Sequence, residues 1–112
     1  MPTNYRVLAQ AAPTSTSTVD LYTVPASTQT VTSTLVICNR AAANASYNIA
    51  IRPAAASLAN QHYIAFNTTV PANDAVTLTI GMTLGNTDVV TVQANTLGLN
   101  NLGFTLFGSE VT

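Results

Sequence analysis

Apolar and polar residues alternate with a period of two in segment after segment of this chain, and that repeat decides what it can fold into. Such alternation puts the apolar members on one face of a strand, whereas a helix needs a repeat near ~3.6. Eight segments of this kind, rich in Thr and other β-favouring residues, lie at 5–9, 19–24, 31–38, 46–52, 62–68, 74–80, 88–94 and 102–107. Alternation also assigns faces. Val31, Ser33, Leu35 and Ile37 point one way and Thr32 and Thr34 the other, while Tyr47, Ile49 and Ile51 oppose Asn48, Ala50 and Arg52. Val76, Leu78 and Ile80 oppose Thr77 and Thr79; Val90 and Val92 oppose Thr91 and Gln93; Phe104 and Leu106 oppose Thr105. A strand that is apolar on one face must cover that face with a second sheet. The expectation is an all-β protein: an antiparallel β-sandwich of jelly-roll or Greek-key type, with about eight strands and at most one short helix.

The connections agree. Pro25 and Pro53 close strands, and Pro71-Ala72-Asn73-Asp74, Gly85-Asn86-Thr87-Asp88 and Gly98-Leu99-Asn100-Asn101 have turn chemistry. The five glycines are placed at strand ends and turns. Residues 54–60, Ala-Ala-Ala-Ser-Leu-Ala-Asn, have helical propensity and predict either a turn or two of helix or an extended loop. Residues 11–18 are polar and low in complexity, which reads as a linker. The organisation expected is therefore an N-terminal strand or arm plus linker over 1–18, and a sandwich body over 19–112, within a single domain of 112 residues. An arm on such a tether could pair with a neighbouring subunit instead of its own sheet.

Several classes of function are disfavoured. The single cysteine, Cys38, forms no intrachain disulfide and no paired-thiolate zinc site, and at the end of an apolar strand it is expected to pack as a small hydrophobe. The apolar runs are strand-sized, far short of the ~20 residues of a membrane helix. The start of the chain, Met1-Pro2-Thr3-Asn4-Tyr5-Arg6, lacks the basic and apolar regions of a signal peptide, so the protein is expected to be soluble. The sequons at Asn44 and Asn67 are then chance matches in an Asn- and Thr-rich chain.

Charge is scarce. Three arginines, four carboxylates and no lysine make up 6% of the chain, and the net charge is -1. A free soluble domain usually carries charge on about a quarter or more of its surface. A skin of Thr, Ser, Asn, Gln and Ala is wettable yet cheap to desolvate against another protein, because few ions must shed hydration. The surface is thus expected to be occupied by neighbouring subunits; the plainer alternative is a Thr-rich domain that tolerates low charge. Three scattered arginines cannot neutralise several phosphates, so no nucleic acid is expected, and no basic amphipathic helix exists for a membrane surface.

No chemistry converges either. His62 is the lone histidine and is expected to be a hydrogen-bonded histidine at a strand edge; a Cys38–His62 pair has nothing but its composition to recommend it. Asp74 and Asp88 precede strands, where a carboxylate accepts backbone N–H bonds. A calcium loop at Asn86 and Asp88 has too few ligands to carry weight. The expectation is no enzyme, no catalytic residues, no cofactor and no metal.

The blocks Leu21-Tyr22-Thr23-Val24-Pro25-Ala26, Ser33-Thr34-Leu35-Val36-Ile37-Cys38-Asn39-Arg40, Ile51-Arg52-Pro53-Ala54, Leu58-Ala59-Asn60-Gln61-His62-Tyr63-Ile64, Ala72-Asn73-Asp74, Asp88-Val89-Val90-Thr91-Val92 and Phe107-Gly108-Ser109-Glu110 span nearly the whole chain. In order and number they resemble a family of small virion structural proteins of tailed bacteriophages, notably those infecting cyanobacteria and other aquatic bacteria. The resemblance implies a particle component and supplies no catalytic residues. A capsid decoration or cement protein is the first expectation and a neck, tail or fibre component the second; a host- or carbohydrate-binding module is a third, weakened by the absence of Trp. The partners expected are the major capsid protein or neck and tail proteins, with a homo-oligomer, for instance a trimer, in the virion. Interface contacts are assigned to Tyr5 and Arg6 on the arm and to the end loops carrying Arg40 and Arg52.

Overall fold

The computed structural model describes residues 3–79 and 81–112. Among them are β1 (Thr3–Ala11), β2 (Val19–Thr23), β3 (Gln29–Asn39), β4 (Ala45–Arg52), β5 (Tyr63–Val70), β6 (Ala75–Leu78), β7 (Thr83–Leu84), β8 (Val89–Ala94) and β9 (Leu102–Val111). One sheet is ordered β1-β9-β3-β6, with β7 also beside β3; the other is β2-β8-β4-β5. The pairs nest antiparallel: β1 with β9, β2 with β8, β3 with β6 and β7, β4 with β5. This is a long antiparallel ribbon wound on itself, closed by β3 against β9 and β4 against β8. That winding is a jelly roll. The sandwich expected from alternation is present, and topology selects between its two candidate forms.

The two sheets face each other across a core led by Tyr47, Phe104, Leu35, Ile37, Ile49, Leu102 and Leu106, all under 2% exposed. Tyr47 and Phe104 meet edge to face, with centroids 6.2 Å apart. The Tyr47 hydroxyl is buried and has no hydrogen-bond partner. An unpaired buried hydroxyl costs about 1–3 kcal/mol. Tyr47→Phe, which keeps the ring contact, is therefore expected to raise the unfolding free energy by about 1 kcal/mol. A urea melt checks this, with an increased midpoint at unchanged slope as the expected result.

The details of several segments differ from or refine the expectations. Strand β3 does not keep one phase: Thr30 and Thr32 are buried, then Leu35, Ile37 and Asn39, while Val31 is 44% exposed. A register shift against β9 between Thr32 and Thr34 inserts an extra residue and flips the alternation, so Val31 and Ser33 face outward. Met1 and Pro2 lie outside the described residues; the expected first strand is present as β1, it joins the body's own sheet, and irregular residues 12–18 connect it to β2. β1 pairs with β9 over its length and sends Leu8 into the core; the backbone carbonyls of Pro13 and Thr16 accept from the Asn100 N–H (2.9 Å) and Gln93 Nε2 (2.7 Å). Of the two forms expected for residues 54–60 the loop is present: residues 56–59 are irregular between 3₁₀ turns at Pro53–Ala55 and Asn60–His62, with Ala54 and Ala55 at φ of 51° and 58°. Gly103 and Gly108 lie inside β9, which runs past 107 to Val111. Ile80 lies outside the described residues, whereas Val76 and Leu78 face inward against exposed Thr77 and Thr79 as expected.

Candidate functional site: the faces of the two sheets

Parity along β9 sets the first feature. Phe104 and Leu106 point into the sandwich, and Glu110, in phase with them, is a carboxylate only 7% exposed. Such a group must be paired. Glu110 Oε1 accepts from Arg6 Nη2 (2.7 Å) and Nε (3.1 Å) on β1, and Oε2 accepts from the Tyr22 hydroxyl (2.5 Å) on β2. Tyr22 Oη also lies 2.8 Å from Thr30 Oγ1 on β3. Four strands from both sheets are thereby joined at one polar cluster. Burial, together with the bond to Glu110, pushes the Tyr22 phenol up to about 12, while the bonds from Tyr22 and Arg6 hold the Glu110 carboxyl below its ordinary value. The arrangement keeps a neutral phenol donating to a carboxylate. Sequence reasoning missed this cluster, although the signal was there: a charge in phase with inward apolar residues.

Of the four residues assigned to contacts, Tyr5 and Arg6 line one groove on the first sheet, whereas Arg40 and Arg52 lie elsewhere. Arg6 is used by Glu110. Arg40 follows β3 at the opposite end of that sheet, and its Nη2 donates to the Asn100 carbonyl (2.7 Å). Arg52 lies on the other sheet, where it pairs with Asp20 (2.8 Å) and its Nε donates to Thr91 Oγ1 (3.0 Å). All three arginines thus have partners inside the chain. Tyr5, in contrast, is 84% exposed.

Tyr5 belongs to a larger surface. It stands opposite Ser109, which pairs onward with Val31, while Val7 stands opposite Phe107. Tyr5, Val7, Val31 and Phe107 with Ser33 line an open groove of about 490 Å³ on the outer face of the first sheet. Val7 and Val31 are each 44% exposed. The β3 phase flip is what turns Val31 into this patch.

The remaining candidates are quiet. Cys38 is exposed on the first sheet, not packed as a small hydrophobe, because its neighbours Ile37 and Asn39 take the inward positions. His62 is hydrogen-bonded as expected, but in a 3₁₀ turn ahead of β5: its Nδ1 accepts from the Ala59 N–H at 3.0 Å. Asp74 accepts from the Ala75 N–H, and Asp88 accepts from the N–H groups of Gly85 and Ala54, all at 2.8 Å. Both carboxylates hold backbone turns. Among the described residues no three His, Cys, Asp or Glu side chains are grouped to hold a metal ion, and no helix is long and apolar enough to cross a membrane.

The fold and these surfaces define a charge-poor, jelly-roll β-sandwich with an apolar groove on one sheet. No protein-family model matches the chain, and no curated protein matches it.

Proposed function

We propose that this chain is a structural subunit of a virus particle, a capsid decoration protein that works by covering contacts with neighbouring subunits. One observation carries the reading: the largest aromatic exposure, Tyr5, sits in an apolar groove on a jelly roll whose arginines all have partners within the chain. Docking a partner there removes apolar area from water and strips no free cation of its hydration. Jelly rolls serve as shell subunits and also as lectin domains and enzymes, so the fold alone does not assign the role. The neutral skin and the groove are what favour association. The partner would be the major capsid protein or further copies of this chain.

The test is a copy-number measurement on purified particles by quantitative mass spectrometry, with genome retention on heating compared between complete particles and particles lacking the protein. Icosahedral numbers and earlier genome loss in the depleted particles are expected. A count of a dozen or fewer would move the protein to the neck or tail, and absence from particles would end the reading. Tyr5→Asp and Val31→Asp, both on the exposed face, are expected to leave the melting temperature within a few degrees and to reduce incorporation into particles at least tenfold. Unchanged incorporation of both variants would remove the groove from the interface.

A further inference from the structure

We propose that the outer face of the second sheet, where β5 bulges beside β4 and β8, binds a neutral carbohydrate. The site begins with register. Tyr47 pairs with Thr68 and Ile49 with Ala65, so Phe66 and Asn67 both stand opposite the single residue Asn48. Thr68 and Ala65 share the inward side with their buried partners, which leaves Phe66 and Asn67 outward. Asn67 takes φ of 54°, a left-handed conformation that Asn tolerates better than most residues. The bulge holds Phe66 at 66% exposure, with Tyr63 against it edge to face at 5.1 Å between centroids. An aromatic pair is thereby fixed in solvent over a depression shared with Asn60, and the next residue on β5, Asn67, lines a polar cleft.

That cleft, about 210 Å³, is lined by Thr16, Ser46, Asn48, Asn67, Gln93 and Asn95, with no charged side chain. Its carboxamides orient one another. The Asn67 N–H donates to Asn48 Oδ1 (2.6 Å), Asn48 Nδ2 to Gln93 Oε1 (2.9 Å), Gln93 Nε2 to the Thr16 carbonyl (2.7 Å) and Ser46 Oγ to Asn67 Oδ1 (3.1 Å). Asn95 Oδ1 accepts from the Gly98 N–H (3.0 Å). The Nδ2 groups of Asn67 and Asn95 are left without protein partners among the described residues, on side chains whose other ends are already fixed. Fixed donors of this kind lose little entropy on binding.

The ligand class follows from the combination. An exposed aromatic face packs against the C–H face of a sugar ring, while oriented amides donate to hydroxyl oxygens. No cation lines the cleft to pair a carboxylate, sulfate or phosphate, so a charged ligand would lose hydration without compensation. The volume lies below the ~300 Å³ lower end for drug-sized pockets. It suits one unit of an extended chain, with a neighbouring ring over Phe66. This inference does not rest on the shell reading, because the Tyr5 groove occupies the opposite sheet.

The test is a titration of the protein's backbone amide NMR signals with cellohexaose, maltohexaose and N-acetylchitohexaose, which differ in linkage geometry, and with hexagalacturonate as the charged comparison. At least one neutral oligosaccharide is expected to give saturable shifts at 46–48, 66–68 and 93–96, with a dissociation constant of about 1 mM. Phe66→Ala is expected to weaken binding at least tenfold. Asn67→Gly, which accepts the same φ and removes the amide, is expected to weaken it severalfold. Tyr5→Ala, on the other sheet, is expected to leave it unchanged. No saturable shift with any neutral oligosaccharide up to about 10 mM would overturn the proposal. So would equal binding of hexagalacturonate. A solution mass above that of one chain that falls in Phe66→Ala, without sugar binding, would make this face a subunit contact and overturn it as well.

Discussion

Gly108→Ala is expected to lose more than about 3 kcal/mol of folding free energy, and Gly108→Val to leave no folded protein at 37 °C. Gly108 sits in β9, paired with Arg6 on one side and Thr32 on the other, beside the register shifts that both partner strands carry. A Cβ built there would stand 2.4 Å from the Val31 carbonyl oxygen, 2.9 Å from Thr32 Cα and 3.0 Å from Leu8 Cδ1. Two of these atoms are backbone in the middle of a sheet, so no side chain can rotate away to relieve the contact. β3 would have to separate from β9, which disrupts the pairing at the centre of the first sheet and displaces Val31 from the groove. The usual overpacking cost of about 1–3 kcal/mol is therefore a lower bound. Gly103→Ala is the control within the same strand: nothing lies within 4 Å of its Cβ, and its stability change is expected to stay within about 0.5 kcal/mol. Urea denaturation of the two alanine variants decides it. Equal midpoints would show that the strands can part without cost.

The second large effect concerns the cluster that joins the sheets. Glu110→Ala is expected to cost about 2–3 kcal/mol at neutral pH, because it removes the charged acceptor of both Tyr22 and Arg6. The pH dependence has two limbs of known sign. Glu110 is held below its ordinary value in the fold, so its contribution is complete above the ordinary glutamate range near ~4.3 and is lost as pH falls through the lower folded value. Tyr22 is raised to about 12, so its contribution is complete below the ordinary phenol value near ~10 and is lost as pH rises from there towards 12. Tyr47, raised by burial, contributes to the alkaline limb in the same direction. Melting temperatures across the pH range are expected to fall at both ends. Glu110→Gln should flatten the acid limb, and Tyr22→Phe in a Tyr47→Phe background should flatten the alkaline one. An alkaline limb that survives the double substitution would show that other groups carry it.

These two predictions draw on features with different visibility in the sequence. The carboxylate at 110 could be read, because it shares parity with Phe104 and Leu106 and β9 keeps its phase throughout. Its partners could not, since Arg6 and Tyr22 are 104 and 88 residues away in the chain. The need for glycine at 108 was equally hidden. It arises from how closely β3 approaches β9, and no local pattern encodes that distance.

The candidate faces divide in the same way. The exposure of Tyr5 agrees with its place on an outer strand, and the ion-poor surface is a direct count. Val31 joined the groove for a tertiary reason: a bulge of one residue reverses every side chain on one side of it. Phe66 and Asn67 share a face only because β5 bulges against Asn48, where strict alternation would have put them on opposite faces.

What the sequence determined by itself is the all-β class, the approximate strand positions, the turn roles of Asp74 and Asp88, and the scarcity of charge. All of these are local or compositional properties, set by side-chain parity, backbone preference and residue type. What only the tertiary structure decided is the jelly-roll winding, the place of the first strand within the body, the internal pairing of all three arginines, and the make-up of each outer face. Those depend on which strands become neighbours and where a register slips. Contacts between residues tens of positions apart settle both, and a period of two carries no record of them.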